Sequence, residues 1–114
     1  MSREIKFRVW HEMCHNFSYF KLEDGSHLHI HGEPEQFTGL LDLNGKEIYE
    51  GDIITHIDRR CRDGSKRIYK VIWSEAPLSY IALAQSEYVW LSSMEGCEVI
   101  GNIHENPELL ENAL

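Results

Sequence analysis

Residues 11–15 read "HEMCH", a segment whose residue types could do metal-dependent chemistry. On a helix, the pattern H-E-x-x-H places two histidines one turn apart, where they hold zinc while the glutamate acts as general base. Here a strand-like pattern runs directly into Trp10 and leaves no room for a helix N-cap. We therefore predict a hairpin turn over residues 13–16, and we assign no catalytic role to His11 or His15.

Three more histidines alternate with a leucine and an isoleucine in "HLHIH": His27, His29 and His31. On a strand they share one face, with neighbours about 6.6–7 Å apart, a spacing from which a transition metal can be chelated. His11, His15 or Cys14 are candidates to complete a tetrahedral set. The interpretation that we favour places the leucine and isoleucine in the core and the histidines in solvent, with no metal and no cofactor.

Basic residues are concentrated in one stretch of the chain. Six of the eleven Lys and Arg residues fall between positions 59 and 70: Arg59, Arg60, Arg62, Lys66, Arg67 and Lys70. The Asp63-Gly64 pair predicts a hairpin turn there, so the first five of these residues are candidates for contact with a partner. Residues 85–114 contain no Lys or Arg. The net charge of −8 disfavours non-specific binding to nucleic acid.

Short strands must position these side chains. The segment "EIKFRV" alternates, with Ile5, Phe7 and Val9 on one face and Lys6 and Arg8 on the other. Further strands are predicted in "DIITHID", "RIYKVIW", "LSYIALA" and "CEVIGNI", which are rich in β-branched and aromatic residues. Residues 86–94 suit either a strand or a short helix. The sequence predicts a mainly β fold of antiparallel strands.

The C-terminal segment "ENPELLENAL" predicts a short helix, with Asn106 as N-cap and Pro107 in the first helical position. The N-terminal segment "MSREIKFRVW" contains no apolar stretch typical of a secretory signal, and no stretch of the chain is long and apolar enough for a membrane helix. The 114 residues are consistent with a single domain, 1–114, in the cytoplasm.

The passage "GLLDLNGKEIYEGDII" is dense in turn-forming residues. The pair Asn44-Gly45 predicts a hairpin turn, since both residues tolerate a positive φ. Gly51 and Asp52 open the next strand, where glycine relaxes the backbone and a carboxylate accepts turn amides. Asp42 and Asn44 begin like a calcium loop, but the glycine comes too early and the later ligands are missing. We interpret the passage as turn chemistry.

Three blocks of the sequence resemble the YopX-like family of bacteriophage and prophage proteins: "IKFRVW", "QFTGLLDLNGKEIYEGDII" and "VIGNIHENPELL". The blocks occur in the order of the family and span most of the chain. The resemblance implies an SH3-type small barrel, to which the residues add an N-terminal hairpin extension and a short C-terminal helix. It also implies a phage or prophage origin and the bacterial cytoplasm. The family has no established activity, so the resemblance assigns no catalytic residue.

Our leading hypothesis for function is a non-enzymatic protein-interaction domain. It would bind a host protein, a phage protein or a second copy of itself through the basic hairpin and the acidic C-terminal region. One alternative is a nucleic-acid-binding accessory protein that uses the basic hairpin of residues 59–70. The other is a metal-binding protein or metal-dependent hydrolase built on the histidines.

Overall fold

A computed structural model describes residues 5–21, 33–57, 66–75, 78–84, 87–94 and 96–110. In these residues the chain forms nine strands: β1 (Lys6–His11), β2 (Asn16–Lys21), β3 (Glu35–Leu41), β4 (Glu47–Tyr49), β5 (Asp52–Ile57), β6 (Lys66–Glu75), β7 (Leu78–Ala84), β8 (Glu87–Trp90) and β9 (Glu98–Asn102). Two short 3-10 helices, Leu91–Ser93 and Pro107–Leu110, complete the described secondary structure.

The first sheet has four strands in the order β2-β1-β3-β4. Strands β1 and β2 form the predicted N-terminal hairpin, with Trp10 opposite Phe17 and His11 opposite Asn16. The turn between them covers residues 12–15 and ends at His15 with φ of 52°. The expected hairpin is thus confirmed. A helix through "HEMCH", which a zinc-hydrolase site would need, is absent from this described segment.

The second sheet has five antiparallel strands in the order β8-β7-β6-β5-β9. Its buried face carries β-branched, aromatic and small residues, as the strand patterns predicted. The core comprises Ile48, Ile54, Tyr69, Val71, Tyr80, Ala82, Ala84, Leu91, Met94 and Cys97, each at most 8% exposed. Since Ile48 belongs to β4 and most of the others to the second sheet, the core lies where the two sheets meet.

The mainly β, antiparallel fold is confirmed, and two finer expectations are refined. The segment 86–94, predicted as either a strand or a short helix, contains one after the other in its described part: strand β8 is followed directly by the 3-10 helix Leu91–Ser93. In the described part of the predicted C-terminal helix, which ends at residue 110, the chain forms the 3-10 segment Pro107–Leu110. The Asn106 side chain accepts a bond from the Asn102 N–H at 3.3 Å, which directs it back toward β9. Pairing of the described strands gives two open sheets, so closure into a barrel stays a prediction.

Candidate functional site

The histidines of "HEMCH" do not form a zinc site of the H-E-x-x-H type. His11 ends β1 and accepts a backbone bond from the His15 N–H at 2.8 Å, while its ring contacts Ser18 Oγ at 2.7 Å. The two residues therefore close a hairpin turn, and they do not share a helix face. Among the described residues, no three His, Cys, Asp or Glu side chains come together to hold a metal ion. His27, His29 and His31 lie outside the described residues.

The predicted basic contact surface is only partly described. Strands β5 and β6 pair antiparallel with Ile57 opposite Lys66, as a hairpin over this stretch requires. Arg67 is partly buried at the start of β6, opposite His56. Arg59, Arg60 and Arg62 lie outside the described residues, and so does the side chain of Lys66. The role of this surface in binding stays a prediction.

The clearest convergence of charged side chains is centred on Arg8, which the sequence did not single out. Arg8 is only 4% exposed, although it lies on the polar face of the alternating β1 pattern. Its Nε contacts Glu35 Oε1 at 2.8 Å, and its Nη2 contacts Asp52 Oδ1 at 2.9 Å. Nη2 also donates to the Glu50 carbonyl at 3.1 Å. Two acidic residues and one carbonyl thus contact the Nε and Nη2 donors of a buried guanidinium.

Aromatic rings enclose the same guanidinium. Its central carbon lies 4.2 Å from the ring centroid of Phe17 and 4.9 Å from that of Tyr49. Ring faces attract cations, and here they also exclude water from the ion pairs. Asp52, 2% exposed, has its other carboxylate oxygen occupied by the Tyr49 N–H at 2.8 Å. The predicted role of Asp52 as an acceptor of turn amides is therefore confirmed.

His104 extends this cluster to the surface. Its Nε2 lies 3.0 Å from Glu35 Oε2, so Glu35 bridges the imidazole and Arg8. The imidazole also stacks on Trp10, with ring centroids 5.2 Å apart and planes 9° from parallel. We call the set Arg8, Glu35, Asp52 and His104 the Arg8 network. It connects β1, β3, β5 and the turn after β9, which are distant in sequence.

A cleft of about 450 Å³ lies beside the Arg8 network. Trp10, His104 and Ile103 line one part of it, while Trp73 and neighbouring β6 residues line another. Its charged lining is mostly acidic: Glu12, Glu33, Glu35, Glu50, Lys70 and His104. The pKa of Glu50 lies above its ordinary value, because burial raises it by more than the Gln36 N–H bound to the carboxylate lowers it. Ser, Thr and Cys are absent from this described lining, so it offers a histidine–carboxylate pair without a hydroxyl or thiol nucleophile.

The second buried carboxylate, Asp42, organises the Asn44-Gly45 turn. Its Oδ1 accepts the N–H groups of Asn44 and Lys46, both at 2.8 Å, and its Oδ2 accepts the Val99 N–H at 3.0 Å. Gly45 has φ of +83°, as the predicted turn requires. We call residues 42–46 the Asp42 turn. The interpretation of this passage as turn chemistry is confirmed.

Some signal for the Arg8 network was present in the sequence. Arg8 stands in an alternating strand, and Gly51 and Asp52 were recognised as the start of another. Nothing in the sequence indicated that Glu35 and His104 would join them, because those partners are 69 positions apart.

The described helices include none long and apolar enough to cross a membrane.

Comparison with known proteins places the chain in a family. Among curated proteins, none matches this sequence. A solved structure with a similar fold is the crystal structure of protein EF1440 from Enterococcus faecalis, with a TM-score of 0.55 and 24% identity. The similarity covers 96% of this chain and 100% of the other. The family model described as YopX protein matches residues 33–111. Because that match includes most of the 114 residues, this chain belongs to the YopX protein family.

Proposed function

We propose that this chain is a non-enzymatic protein-interaction domain, encoded by a phage or prophage and active in the bacterial cytoplasm. The supporting observation is the set of large apolar side chains exposed on strands β6, β7 and β8. They are Trp73 at 45% exposure, Leu78 at 75%, Tyr88 at 51% and Trp90 at 44%. Exposed aromatic clusters on a protein surface are typical of protein-interaction sites.

These side chains form two patches on opposite faces of the sheet. Trp73 pairs with Tyr80 across β6 and β7, and Leu78 lies two residues from Tyr80 on the same face. Tyr88 and Trp90 pair with Leu83 and Ile81, which place them on the other face. A binding partner can therefore be assigned to one patch by substituting each patch separately.

The test starts by capturing a protein from bacterial extract on the immobilised full chain and titrating the purified partner. We expect the W73S/L78S or the Y88S/W90S double variant to weaken its affinity at least about tenfold, because exposed aromatic anchors dominate interface energies. Circular dichroism serves as the folding control for both variants. If no protein binds, or if neither double variant weakens binding, the proposal fails.

The resemblance to SH3-type barrels belongs to the same proposal. The five antiparallel strands β5 to β9, mostly joined as consecutive hairpins, support it. A crystal structure in which the ends of this sheet pair with each other, directly or through β3 and β4, would establish closure. Two open sheets in the crystal would exclude it.

The alternative of nucleic-acid binding rests on the basic residues between positions 59 and 70. Its test is fluorescence anisotropy with labelled single- and double-stranded DNA and RNA at low salt. Binding that weakens steeply with salt, and that is lost in the R60E/R62E variant, would favour this alternative. Absence of binding at low salt would end it.

A further inference from the structure

The cleft beside the Arg8 network is lined from both sheets. Trp10 of β1 lines it from the first sheet, and Trp73 of β6 lines it from the second. We call it the Trp10–Trp73 cleft. Its volume of about 450 Å³ is within the range of sites that hold small molecules. The cleft is therefore large enough for a small ligand group that contacts residues of both sheets.

Most of the charge in this cleft is negative and has no partner in the described part of the chain. Both oxygens of Glu35 are occupied, one by Arg8 at 2.8 Å and the other by His104 at 3.0 Å. Three other lining carboxylates make no ion pair with any described Lys, Arg or His: Glu12, Glu33 and Glu50. Lys70, the one lysine of this described lining, makes no such pair with them. The cleft thus holds an excess of negative charge.

Glu50 is the most confined of these three carboxylates, because it is half-buried and the other two are exposed. One of its oxygens accepts the Gln36 N–H at 2.8 Å, and within the described chain its other oxygen accepts no hydrogen bond. Arg8 is directed to the main-chain carbonyl of Glu50 instead. Burial and the neighbouring charge of Glu35 raise the pKa of Glu50. A cation bound beside this carboxylate would offset that cost of ionisation.

The two indoles determine which kind of cation suits the cleft. Trp73 is 45% exposed, while Trp10 is half-buried with its ring stacked on His104 at 5.2 Å between centroids. Ring faces attract guanidinium and ammonium groups, whereas hard metal ions require several oxygen ligands. Among the residues that the structure describes, no three His, Cys, Asp or Glu side chains converge as a metal site requires. An organic cation therefore suits this lining better than a metal ion.

We propose that the Trp10–Trp73 cleft binds one organic cation, a guanidinium or alkylammonium group, beside Glu50 and against the exposed ring of Trp73. The group has two possible sources: a free amine or guanidine, or an Arg or Lys side chain on a protein. The inference goes beyond the proposed function, because the cleft binds the cation whether its carrier is a small molecule or a protein.

The test titrates the full chain, labelled with nitrogen-15, with butylguanidinium and follows the amide and indole N–H signals. N-butylurea, which has nearly the same shape and no charge, is the matched control. We expect saturable shifts of the Trp73 indole and of the amides of residues 70–73, with a dissociation constant of about 1 mM for so small a ligand. N-butylurea should produce no saturable shift over the same range of concentration.

Two pairs of variants locate the site. E50Q keeps an oxygen for the Gln36 N–H and removes the charge, so it should weaken binding of butylguanidinium about three- to tenfold, and more at low salt than at high salt. Its control, E108Q, changes an exposed glutamate that does not line the cleft. W73S should weaken binding about five- to tenfold through the lost ring contact. Its control, W90S, removes an almost equally exposed tryptophan outside the cleft. Both controls should bind as wild type does.

Two further measurements identify the source of the cation. Arginine blocked at both ends presents the same guanidinium together with the peptide groups of a protein chain. Binding at least as tight as that of butylguanidinium would assign the site to a protein side chain, and weaker binding would assign it to a free small molecule. Light scattering detects a second copy as the carrier. Self-association that butylguanidinium disperses would mean that an Arg or Lys of another copy occupies the cleft.

Four results would overturn the inference: no saturable shifts, shifts confined to signals outside the cleft, equal affinity for N-butylurea, or wild-type affinity in both E50Q and W73S. If a captured protein depends on an apolar patch while butylguanidinium does not bind, the proposed function stands and this inference falls. If butylguanidinium binds in the cleft and no protein is captured, this inference stands and the proposed function falls.

Discussion

The Asp42 turn and the Arg8 network both enclose a buried carboxylate, but they satisfy it by different means. Asp42, 7% exposed, accepts three backbone N–H groups, two of them from residues two and four positions further along the chain. Asp52, 2% exposed, pairs with the guanidinium of Arg8, which also binds Glu35 from 27 positions away. One site is satisfied mainly by local dipoles and the other by an opposite charge brought from elsewhere in the fold.

This difference determines what remains when a partner is removed. Loss of Asp42 leaves neutral N–H groups, some of which lie near the surface and can bind water. Loss of Arg8 leaves two carboxylates without their cation in a buried site, which costs much more. The Arg8 network should therefore be the more sensitive of the two regions to substitution.

The largest effect is expected for R8A. Removing one partner of a buried ion pair costs about 3–5 kcal/mol of the free energy of unfolding, because the remaining charges stay desolvated. Urea denaturation measures this loss. The double variant R8A/D52N should recover part of it, since the second substitution removes one orphaned charge. A loss below about 1 kcal/mol for R8A would mean that water reaches the site and that the network is not buried.

A smaller loss, of about 1.5–3 kcal/mol, is expected for D42N. The side-chain amide of this variant keeps one oxygen that accepts the N–H groups of Asn44 and Lys46. Its NH₂ group takes the place of the oxygen that accepted the Val99 N–H, so two donors face each other there. Burial raises the pKa of the Asp42 carboxyl, but the N–H groups of Val99, Lys46 and Asn44 and the charge of Lys46 outweigh burial, so the net pKa lies below 3.8. Urea denaturation near pH 7 measures the difference from wild type.

The pH dependence of the same variant gives a second readout. Because the folded state lowers the pKa of Asp42, its ionisation stabilises the fold above the unfolded pKa of about 3.8. That contribution is lost as the pH falls through the folded pKa. The stability gap between wild type and D42N should accordingly narrow on acidification below about pH 4. A gap that stays constant between pH 7 and pH 3 would contradict this account.

Two glycines with almost the same φ allow a matched comparison of the regions. Gly51, beside the Arg8 network, has φ of +84°, and an added Cβ would lie 2.4 Å from Glu35 Oε2. Gly45, in the Asp42 turn, has φ of +83° and no atom within 4 Å of an added Cβ. We expect G45A to cost about 1 kcal/mol, from backbone strain alone, and G51A to cost about 2 kcal/mol. Thermal denaturation of both variants tests the difference, and equal losses would show that Glu35 can move aside freely.

The smallest effect is expected for H15G. His15 is exposed and has φ of 52°, a conformation that glycine adopts without strain. Among the described residues its ring contacts Trp10 in an edge-on arrangement, with centroids 6.1 Å apart. Thermal denaturation should show a change within about 0.5 kcal/mol of wild type. A loss above that range would assign this turn a structural role that the contacts do not indicate.

Much of the fold was predictable because it depends on short-range patterns. Alternation predicted β1, and turn dipeptides predicted the hairpins between later strands. Residues 86–94 could not be assigned as strand or helix alone, because the segment is a strand that runs into a 3-10 helix. The C-terminal helix was predicted in the right place. Its 3-10 form over Pro107–Leu110 was not predicted, and Asn106, the predicted N-cap, accepts a hydrogen bond from the Asn102 N–H in β9.

The candidate site was much less predictable than the fold. The residues first considered for chemistry, His11 and His15, close a turn. Those that line the cleft, such as Trp10, Glu50 and Trp73, carry no motif. Arg8 was assigned correctly to the polar face of β1, yet that face is buried by Glu35, Asp52 and two aromatic rings. A pattern of alternation distinguishes two faces but cannot say what covers each one.

The sequence by itself determined β1, β5, β6, β7 and β9, the turn between β1 and β2, and the role of Asp42 in its own turn, because backbone preference and nearby hydrogen bonds act over a few residues. Only the tertiary structure decided that Arg8 is buried, that Glu35 joins it to His104, and that β6 continues beyond its pairing with β5. Those features arise where the two sheets meet. The residues involved are distant in sequence, and their burial and charge pairing depend on the whole chain being folded.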